Sequence, residues 1–265
     1  MDEKRFCLTV LGAGGSVPVD RREREIFGGD TSCYMVQAGD DCVFLDAGSG
    51  LVSAPSDLPK PPVILLSHLH LDHVIGLGMY TRLSQCGKIT YLFLPADTTE
   101  EARQLLNSLY MPPWWPLRLE RYAGELRTDC LQFPLQVGSI RVDGIPGNHP
   151  GGCFVFRLSC EGKVLVYATD YEHTAAGTAS LQSFVQGADL LLYDAQYSRE
   201  QYERKKGFGH STAEEGIALK DSCGVKNLLL IHHDPHTTDA DLLEREARIG
   251  RGDVLFARAG ERIVI

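Results

Sequence analysis

The sequence predicts an α/β fold in which two mixed β-sheets pack together beneath outer helices. Short apolar, β-branched runs bounded by Gly, Asp or Asn recur along the chain, as is typical of strands. Helical patterns separate some of these runs, and turn residues join two pairs of them as in β-hairpins. Because strands pair locally in each half while helices intervene, two sheets covered by helices are the simplest arrangement.

The individual elements follow from these patterns. The predicted strands are residues 6–11, 33–36, 42–45, 63–66, 89–94, 140–142, 153–158, 163–168, 190–193 and 228–231. The predicted helices are residues 99–110, 178–186, 212–222 and 238–248. Thr238 is expected to cap the last helix. Gly39-Asp40-Asp41 and Glu161-Gly162 are the expected hairpin turns.

Length and composition indicate a single domain. The 265 residues, with 43% hydrophobic and 23% charged content, suffice for one large core, so we treat 1–265 as one domain. No apolar stretch approaches the roughly 20 residues of a membrane span, and the charged start at residues 1–5 is unlike a signal peptide. The eight scattered cysteines contain no Cys-x-x-Cys pair and favour reduced thiols. We therefore expect a cytoplasmic protein without membrane attachment.

The net charge argues against a broad nucleic-acid-binding surface. The chain has 26 basic and 35 acidic residues, which gives a formal charge of −9. Gripping a nucleic-acid backbone requires a basic surface. Any anionic substrate is therefore expected to be small or to be drawn in by bound metal ions.

A dense group of potential metal ligands follows one predicted strand. The apolar run ends at Ser67, and His68, His70, Asp72 and His73 come directly after it. Zinc and other divalent metals accept imidazole nitrogens and carboxylate oxygens, and a tight turn makes their lone pairs converge. A lone histidine is more often a core residue, but three histidines and an aspartate at this spacing favour a metal site.

Further candidate ligands stand where other strands stop. His149, Asp170 and His232 each follow an apolar run, so their side chains can converge from separate strands. Together with the first group they predict a site for two metal ions. His232, His233 and His236 are candidates for the last position, and we choose His232 because it directly follows the apolar run. His233 then points to the opposite side and is expected to support a ligand or contact substrate.

This order of residues resembles the metallo-β-lactamase superfamily over nearly the whole chain. The matching positions are Asp46 in Phe44-Leu45-Asp46-Ala47-Gly48, then His68, His70, Asp72, His73, His149, Asp170 and His232. The resemblance implies a four-layer αββα sandwich of two mixed β-sheets flanked by helices. It also implies two ligand sets, His68, His70 and His149 for one metal and Asp72, His73 and His232 for the other, with Asp170 between them. Asp46 would orient the ligand loop from behind.

Other motifs resemble the ribonuclease Z and small-phosphodiesterase branch of that superfamily. They are residues 11–18, Gly28-Gly29-Asp30-Thr31-Ser32-Cys33 and Gly209-His210-Ser211-Thr212-Ala213-Glu214-Glu215. The resemblance implies a metal-dependent hydrolase of phosphodiesters. Two divalent ions, zinc by default with manganese, iron or cobalt as alternatives, would hold the phosphate and generate a bridging hydroxide that attacks phosphorus.

The expected catalytic residues are Asp72, which would also bind metal, His210 and Asp194. His210 would protonate the leaving oxygen, and Asp194 would orient the His210 ring. An alternative without chemistry is that Ser211 and Glu214 form a helix capping box into which His210 merely leads.

The chain departs from ribonuclease Z at one motif. That enzyme has His-Glu-Ala-Thr where this sequence has Tyr193-Asp194-Ala195-Gln196, so Tyr193 replaces a histidine and is expected to lie behind the ligands. The sequence also lacks a long glycine-rich basic arm. We therefore expect a small or cyclic nucleotide phosphodiester as substrate, and not transfer RNA.

The sequence leaves open two alternative functions and the role of one proline-rich segment. The same scaffold serves lactone and thioester hydrolysis, and a catalytically silent nucleotide- or partner-binding module is a further alternative. Residues 111–116 contain three prolines and both tryptophans, so they form neither a regular helix nor a central strand. This segment is interpreted as a lid over a pocket, a homodimer contact, or a loop packed on its own core.

Overall fold

Two seven-stranded mixed β-sheets form the centre of the fold in a computed structural model that describes residues 6–20, 22–174 and 178–265. The first sheet has the order β14 (Arg262–Val264), β1 (Phe6–Gly12), β2 (Cys33–Ala38), β3 (Asp41–Leu45), β4 (Val63–Leu65), β5 (Ile89–Leu94) and β6 (Glu125–Cys130). The second has the order β13 (Val254–Phe256), β12 (Asn227–Ile231), β11 (Leu190–Asp194), β10 (Lys163–Ala168), β9 (Cys153–Cys160), β8 (Ile140–Gly147) and β7 (Leu135–Val137).

Helices cover the outer faces of both sheets. They are α1 (Thr99–Leu109), α2 (Thr178–Val185), α4 (Ala213–Ser222) and α5 (Asp239–Ile249), while the short helix α3 (Arg199–Lys205) has no buried residue. Thr238 caps α5 as predicted, since its hydroxyl accepts a hydrogen bond from the N–H of Asp241 at 3.2 Å. The predicted class, two mixed sheets flanked by helices, is confirmed.

Three hydrophobic layers hold these elements together. Inward-facing residues of both sheets, such as Leu8 and Val43 from the first and Phe156 and Leu192 from the second, form the central core. A second cluster lies between the second sheet and its helices, and a third lies between the first sheet, α1 and several short 3₁₀ turns. Strands buried on both faces explain the nearly continuous apolar runs of the sequence.

Strand direction determines where the site forms. The pairs β3–β4, β10–β11 and β11–β12 are parallel. The two hairpins β2–β3 and β9–β10 are antiparallel, as predicted, and the pairs β8–β9 and β9–β10 make β8 run parallel to β10. The carboxyl ends of neighbouring parallel strands meet at one sheet edge, so polar residues that follow these strands come close together.

The described residues also bear on membrane attachment and on the state of the cysteines. Within the described ranges, no helix combines the length and the apolar character needed to cross a bilayer. The charged start at residues 1–5 lies outside those ranges. All eight cysteines are free, and only Cys86 among them is exposed, in agreement with the predicted reduced thiols.

Candidate metal centre

The structure brings the seven predicted ligands together at the carboxyl ends of the strands. They form two groups, and within each group the candidate ligand atoms lie within 4.8 Å of one another. The groups are His68, His70, His149 and Asp170, and Asp72, His73 and His232. His232, rather than His233, is the histidine that reaches the cluster.

Asp170 faces both groups. One carboxylate oxygen, Oδ1, is 3.1 Å from His73 Nε2 and 3.2 Å from His232 Nδ1. The other, Oδ2, is 3.6 Å from His68 Nε2 and 3.7 Å from His149 Nε2. One oxygen is therefore directed at each group, as required of a carboxylate that bridges two metal ions.

Left-handed backbone turns the site residues toward this edge. Ser16, Asp46, Asp170 and His232 have φ angles of 65°, 60°, 45° and 61°. The only other non-glycine residue with positive φ in the described ranges is Glu161, in a hairpin turn. Such backbone costs on the order of 1–3 kcal/mol per residue and persists where the surroundings enforce it. The strands therefore end abruptly, and the side chain that follows points into the site.

Asp46 holds the ligand loop from behind. Its carboxylate accepts hydrogen bonds from Ser67 N at 2.6 Å, Ser67 Oγ at 2.8 Å and Tyr167 OH at 2.6 Å. It also lies 2.7 Å from His73 Nδ1, so this nitrogen carries the proton and Nε2 is presented to the cluster. A fully buried carboxylate with these partners fixes both the tautomer and the orientation of His73.

Unpartnered nitrogens show that the cluster fits metal ions. The Nε2 atoms of His68, His73 and His232 are buried and lack a hydrogen-bond partner among the described residues. Since the Nδ1 atoms of His68 and His73 contact Ser67 Oγ and Asp46, the lone pairs that are free to bind a metal ion belong to Nε2. A buried polar atom without a partner costs about 1–3 kcal/mol. A divalent cation bound by imidazole and carboxylate would remove that cost.

The electrostatic field of the site favours positive charge. Burial raises the pKa of Asp170, but the neighbouring His232, His73 and His68 outweigh this and hold the pKa well below its usual range. For His73, burial lowers the pKa, yet Asp170, Asp46 and Asp72 raise it well above the ordinary value. Ionised carboxylates therefore surround the ligand nitrogens and stabilise a cation between them.

The glycine-rich opening of the chain packs directly on two ligands. The N–H of Ser16 donates to Asp72 Oδ2 at 2.7 Å. A Cβ atom on Gly15 would lie 2.4 Å from the ring of His232, so only glycine fits there. The side chain of Gln196 in turn donates to Ser16 Oγ at 3.1 Å. The motif at residues 11–18 thus positions Asp72 and His232.

His210 and Asp194 lie beside the cluster. His210 Nδ1 is 2.8 Å from Asp194 Oδ2, and Asp194 is fully buried. The His210 ring stacks on His232 with centroids 4.8 Å apart, and its Nδ1 is 4.0 Å from Asp170 Oδ2. Burial lowers the pKa of His210, but the hydrogen-bonded Asp194 carboxylate outweighs it, so the pKa is raised.

The capping-box alternative for His210 is wrong. Helix α4 is capped by Thr212, whose hydroxyl accepts from Glu215 N at 3.4 Å, one residue later than the Ser211–Glu214 pair requires. Ser211 is buried and its hydroxyl lies 3.1 Å from Tyr193 OH. His210 therefore precedes the cap by two positions and does not belong to it.

Two predicted supporting residues lie away from the ligands. His233 packs edge-on against Phe27, and its Nε2 donates to the carbonyl of Ala257 at 2.8 Å. The expectation that it contacts a ligand or substrate is corrected: the left-handed turn at His232 directs the next side chain into the core. Tyr193 is buried and reaches Ser211, the neighbour of His210, rather than the ligand cluster itself.

Sequence reasoning missed Glu172. Its buried carboxylate accepts hydrogen bonds from Gly207 N at 2.7 Å, Gly209 N at 3.0 Å and Tyr202 OH at 3.2 Å. Gly209 O in turn lies 2.9 Å from His149 Nδ1, which leaves His149 Nε2 for the cluster. Glu172 therefore holds the loop that orients His149 and leads into His210. Nothing in the sequence signals this role beyond its position two residues after Asp170.

Gly209→Ala is expected to displace His149. Gly209 has φ +91°, and a Cβ there would lie 2.1 Å from His149 Nδ1. Gly207 has φ +87°, and no atom of the described residues lies within 4 Å of a Cβ there, so Gly207→Ala brings the same backbone strain without the clash. We expect metal affinity to fall about 10–100-fold in Gly209→Ala only, because this is the usual loss when a group that orients a metal ligand is disturbed. Competition with a chromogenic chelator measures this, and equal affinities in both variants would contradict it.

Comparisons with known proteins agree with this geometry. The β-lactamase superfamily domain matches residues 41–233, a range that contains all seven ligands. The probable metallo-hydrolase YhfI of Bacillus subtilis (strain 168) is 26% identical over 267 residues, covering 96% of this chain and 97% of that protein. Ribonuclease Z of Bradyrhizobium sp. (strain ORS 278) is 26% identical over 295 residues, covering 92% and 94%.

Solved structures share the fold. The crystal structure of YhfI matches with a TM-score of 0.75 at 23% identity and covers 98% of this chain and 99% of its own. A diphosphatase from the PhnP family matches with a TM-score of 0.68 at 17% identity and covers 98% of both chains. The family match over most of the chain, together with the His and Asp cluster, shows that the chain belongs to the metallo-β-lactamase superfamily and is a metal-dependent hydrolase.

Proposed function

We propose that this hydrolase cleaves a small or cyclic nucleotide phosphodiester at a centre of two divalent metal ions. The observation that carries the proposal is the His210–Asp194 pair beside a cluster in which Asp170 faces two ligand groups. A phosphodiester needs both charge stabilisation at phosphorus and a proton for its leaving oxygen. The cluster provides the charge stabilisation, and the His210–Asp194 pair provides the proton.

The two ions would be held by the ligand groups described above. Zinc is the first choice because it binds both imidazole nitrogens and carboxylate oxygens, and manganese, iron or cobalt are alternatives. When bound, the ions supply Lewis acidity for the phosphate oxygens and lower the pKa of water. Asp72 and Asp170 contribute negative charge that anchors the ions, and Asp46 keeps His73 oriented.

His210 would protonate the leaving oxygen. Its Nδ1 is engaged by Asp194, so the proton available for transfer is on Nε2. Asp194 is itself fixed, because its Oδ1 accepts from Gln196 N at 3.0 Å and from Ser211 N at 3.4 Å. The His210 side chain is 11% exposed, which gives a substrate access while limiting water.

Relatives and net charge support the substrate class. One relative is named a ribonuclease and one structural neighbour a diphosphatase, and both names denote cleavage at phosphorus. The formal charge of −9 favours a small substrate over transfer RNA. Eight free cysteines support a reducing compartment, and we place the activity in the cytoplasm.

The test is a substrate screen of metal-loaded protein. Protein reconstituted separately with zinc and manganese is assayed against bis-p-nitrophenyl phosphate, cyclic mononucleotides and dinucleotides, with an acyl-lactone, a glutathione thioester and a precursor transfer RNA in parallel. We expect turnover of the diester and at least one cyclic nucleotide. Two bound metals per chain with turnover of only the lactone or the thioester would refute the proposal.

A further inference from the structure

An uncharged cavity of about 380 Å³ lies against the turn that carries two of the ligands. Leu71, Val74 and Ile75 of that turn form one wall. Tyr110, Trp114 and Trp115 line the other side, and none of the described residues that line the cavity is charged. Its volume is within the range of sites that bind small organic molecules.

The cavity and the metal cluster share one short 3₁₀ turn. Leu71 stands between the ligands His70 and Asp72, and its carbonyl accepts from Val74 N at 3.2 Å and Ile75 N at 2.9 Å. Asp72 therefore faces the cluster while Leu71 faces the cavity, and consecutive Cα atoms are about 3.8 Å apart. Leu71 is 62% exposed, so its side chain is open to a molecule that enters the cavity.

In the far wall, Trp115 is held by hydrogen bonds and ring contacts, whereas the neighbouring Trp114 is largely exposed. The indole N–H of Trp115 donates to Tyr122 OH at 2.9 Å, and this hydroxyl donates to Gly78 O at 3.0 Å. The Trp115 ring also packs edge-on against Tyr110 with centroids 5.3 Å apart. Trp114 beside it is 78% exposed. An indole held on a rigid segment with its face open is suited to stacking on a flat ligand.

We propose that this cavity binds an aromatic substituent of the phosphodiester, such as an aryl group or a nucleobase. The inference rests on the proposed function. An uncharged lining disfavours the phosphate itself and favours a neutral apolar group, which removes water from Leu71 and Trp114. Stacking of a base on an aromatic side chain changes affinity by roughly 5- to 150-fold. The enzyme therefore prefers diesters with an aromatic substituent.

Two diesters with the same leaving group test the preference. Phenyl p-nitrophenyl phosphate and methyl p-nitrophenyl phosphate both release p-nitrophenolate and differ in the retained substituent. After division by the rates of uncatalysed hydrolysis, we expect kcat/KM to be at least about tenfold higher for the phenyl diester, mainly through KM. Trp114→Ala and Leu71→Ala are expected to lower this ratio toward one. Leu243→Ala, which removes an exposed leucine on α5, is the matched control and keeps the ratio.

The possible outcomes test the aromatic-substituent inference separately from the proposed phosphodiesterase function. Equal corrected kcat/KM values for both diesters, or a ratio that Trp114→Ala leaves unchanged, overturn the inference while the phosphodiesterase proposal stands. No turnover of either diester by protein with its metals bound counts against the proposed function itself. Sedimentation in parallel tests a second copy of the chain as occupant: dissociation of a dimer by Trp114→Ala with an unchanged ratio would assign the cavity to an interface instead.

Discussion

Replacing Asp170 with asparagine is expected to lower kcat at least about a thousandfold. Asp170 directs one oxygen to each ligand group, at 3.1 Å from His73 and 3.6 Å from His68. An asparagine keeps the shape but retains one acceptor and turns an NH₂ group toward the other set of ligands. A metal centre contributes several kcal/mol of charge stabilisation, and each 1.4 kcal/mol corresponds to a tenfold change in rate.

Metal analysis of the same variant separates this mechanism from simple unfolding. We expect fewer than two ions per chain after dialysis, in a protein that still unfolds cooperatively. Asp189→Asn is the matched control, because Asp189 is also a buried carboxylate that accepts from a backbone N–H, that of Val164 at 2.9 Å. It should retain full metal content. Asp170→Asn protein with two tightly held ions and undiminished kcat would show that Asp170 does not bridge the ions.

The strands and helices that sequence patterns missed are short or have little buried apolar surface. Strand β6 (Glu125–Cys130) alternates exposed and half-buried residues along most of its length, and β14 (Arg262–Val264) is a three-residue edge strand. The β7 and β13 strands are also three residues long. Helix α3 has no buried residue, so its only sequence signal is the capping box of Ser198 and Gln201. Apolar periodicity needs several residues on a buried face, and these elements are either too short or bury no such face.

The ligands were predictable because strand ends concentrate them. Each follows an apolar run, and parallel pairing within each sheet, together with the packing of the two sheets on each other, brings these ends together. Glu172 was not predictable, since its backbone partners Gly207 and Gly209 are 35 and 37 residues away in sequence. His233 was misplaced because alternation assumes a continuing strand, whereas His232 adopts φ 61°. Contacts between distant parts of the chain decided the first case and local backbone geometry the second, and a sequence pattern contains neither.

Replacing His210 with glutamine is expected to lower kcat by about 10²- to 10⁴-fold on substrates with poor leaving groups, the usual range for loss of a general acid. His210 is held at 2.8 Å by Asp194 and lies outside the two groups formed by the seven predicted ligands, although it could also share a cation with Asp170 and His232. Because those two groups stay complete in the variant, we expect its metal content to change little. Asp194→Asn should give a smaller loss of the same kind, because it loosens the ring without removing it.

The leaving group identifies what His210 does. A p-nitrophenolate departs without protonation, whereas a nucleoside alkoxide needs a proton as the bond to phosphorus breaks. If His210 supplies that proton, His210→Gln loses far more activity on an alkyl leaving group than on p-nitrophenyl diesters. His236→Ala, which removes an exposed histidine outside the cluster, controls for loss of an imidazole as such. An equal loss on both leaving groups would mean that His210 binds the phosphate or supports His232, with which it stacks at 4.8 Å.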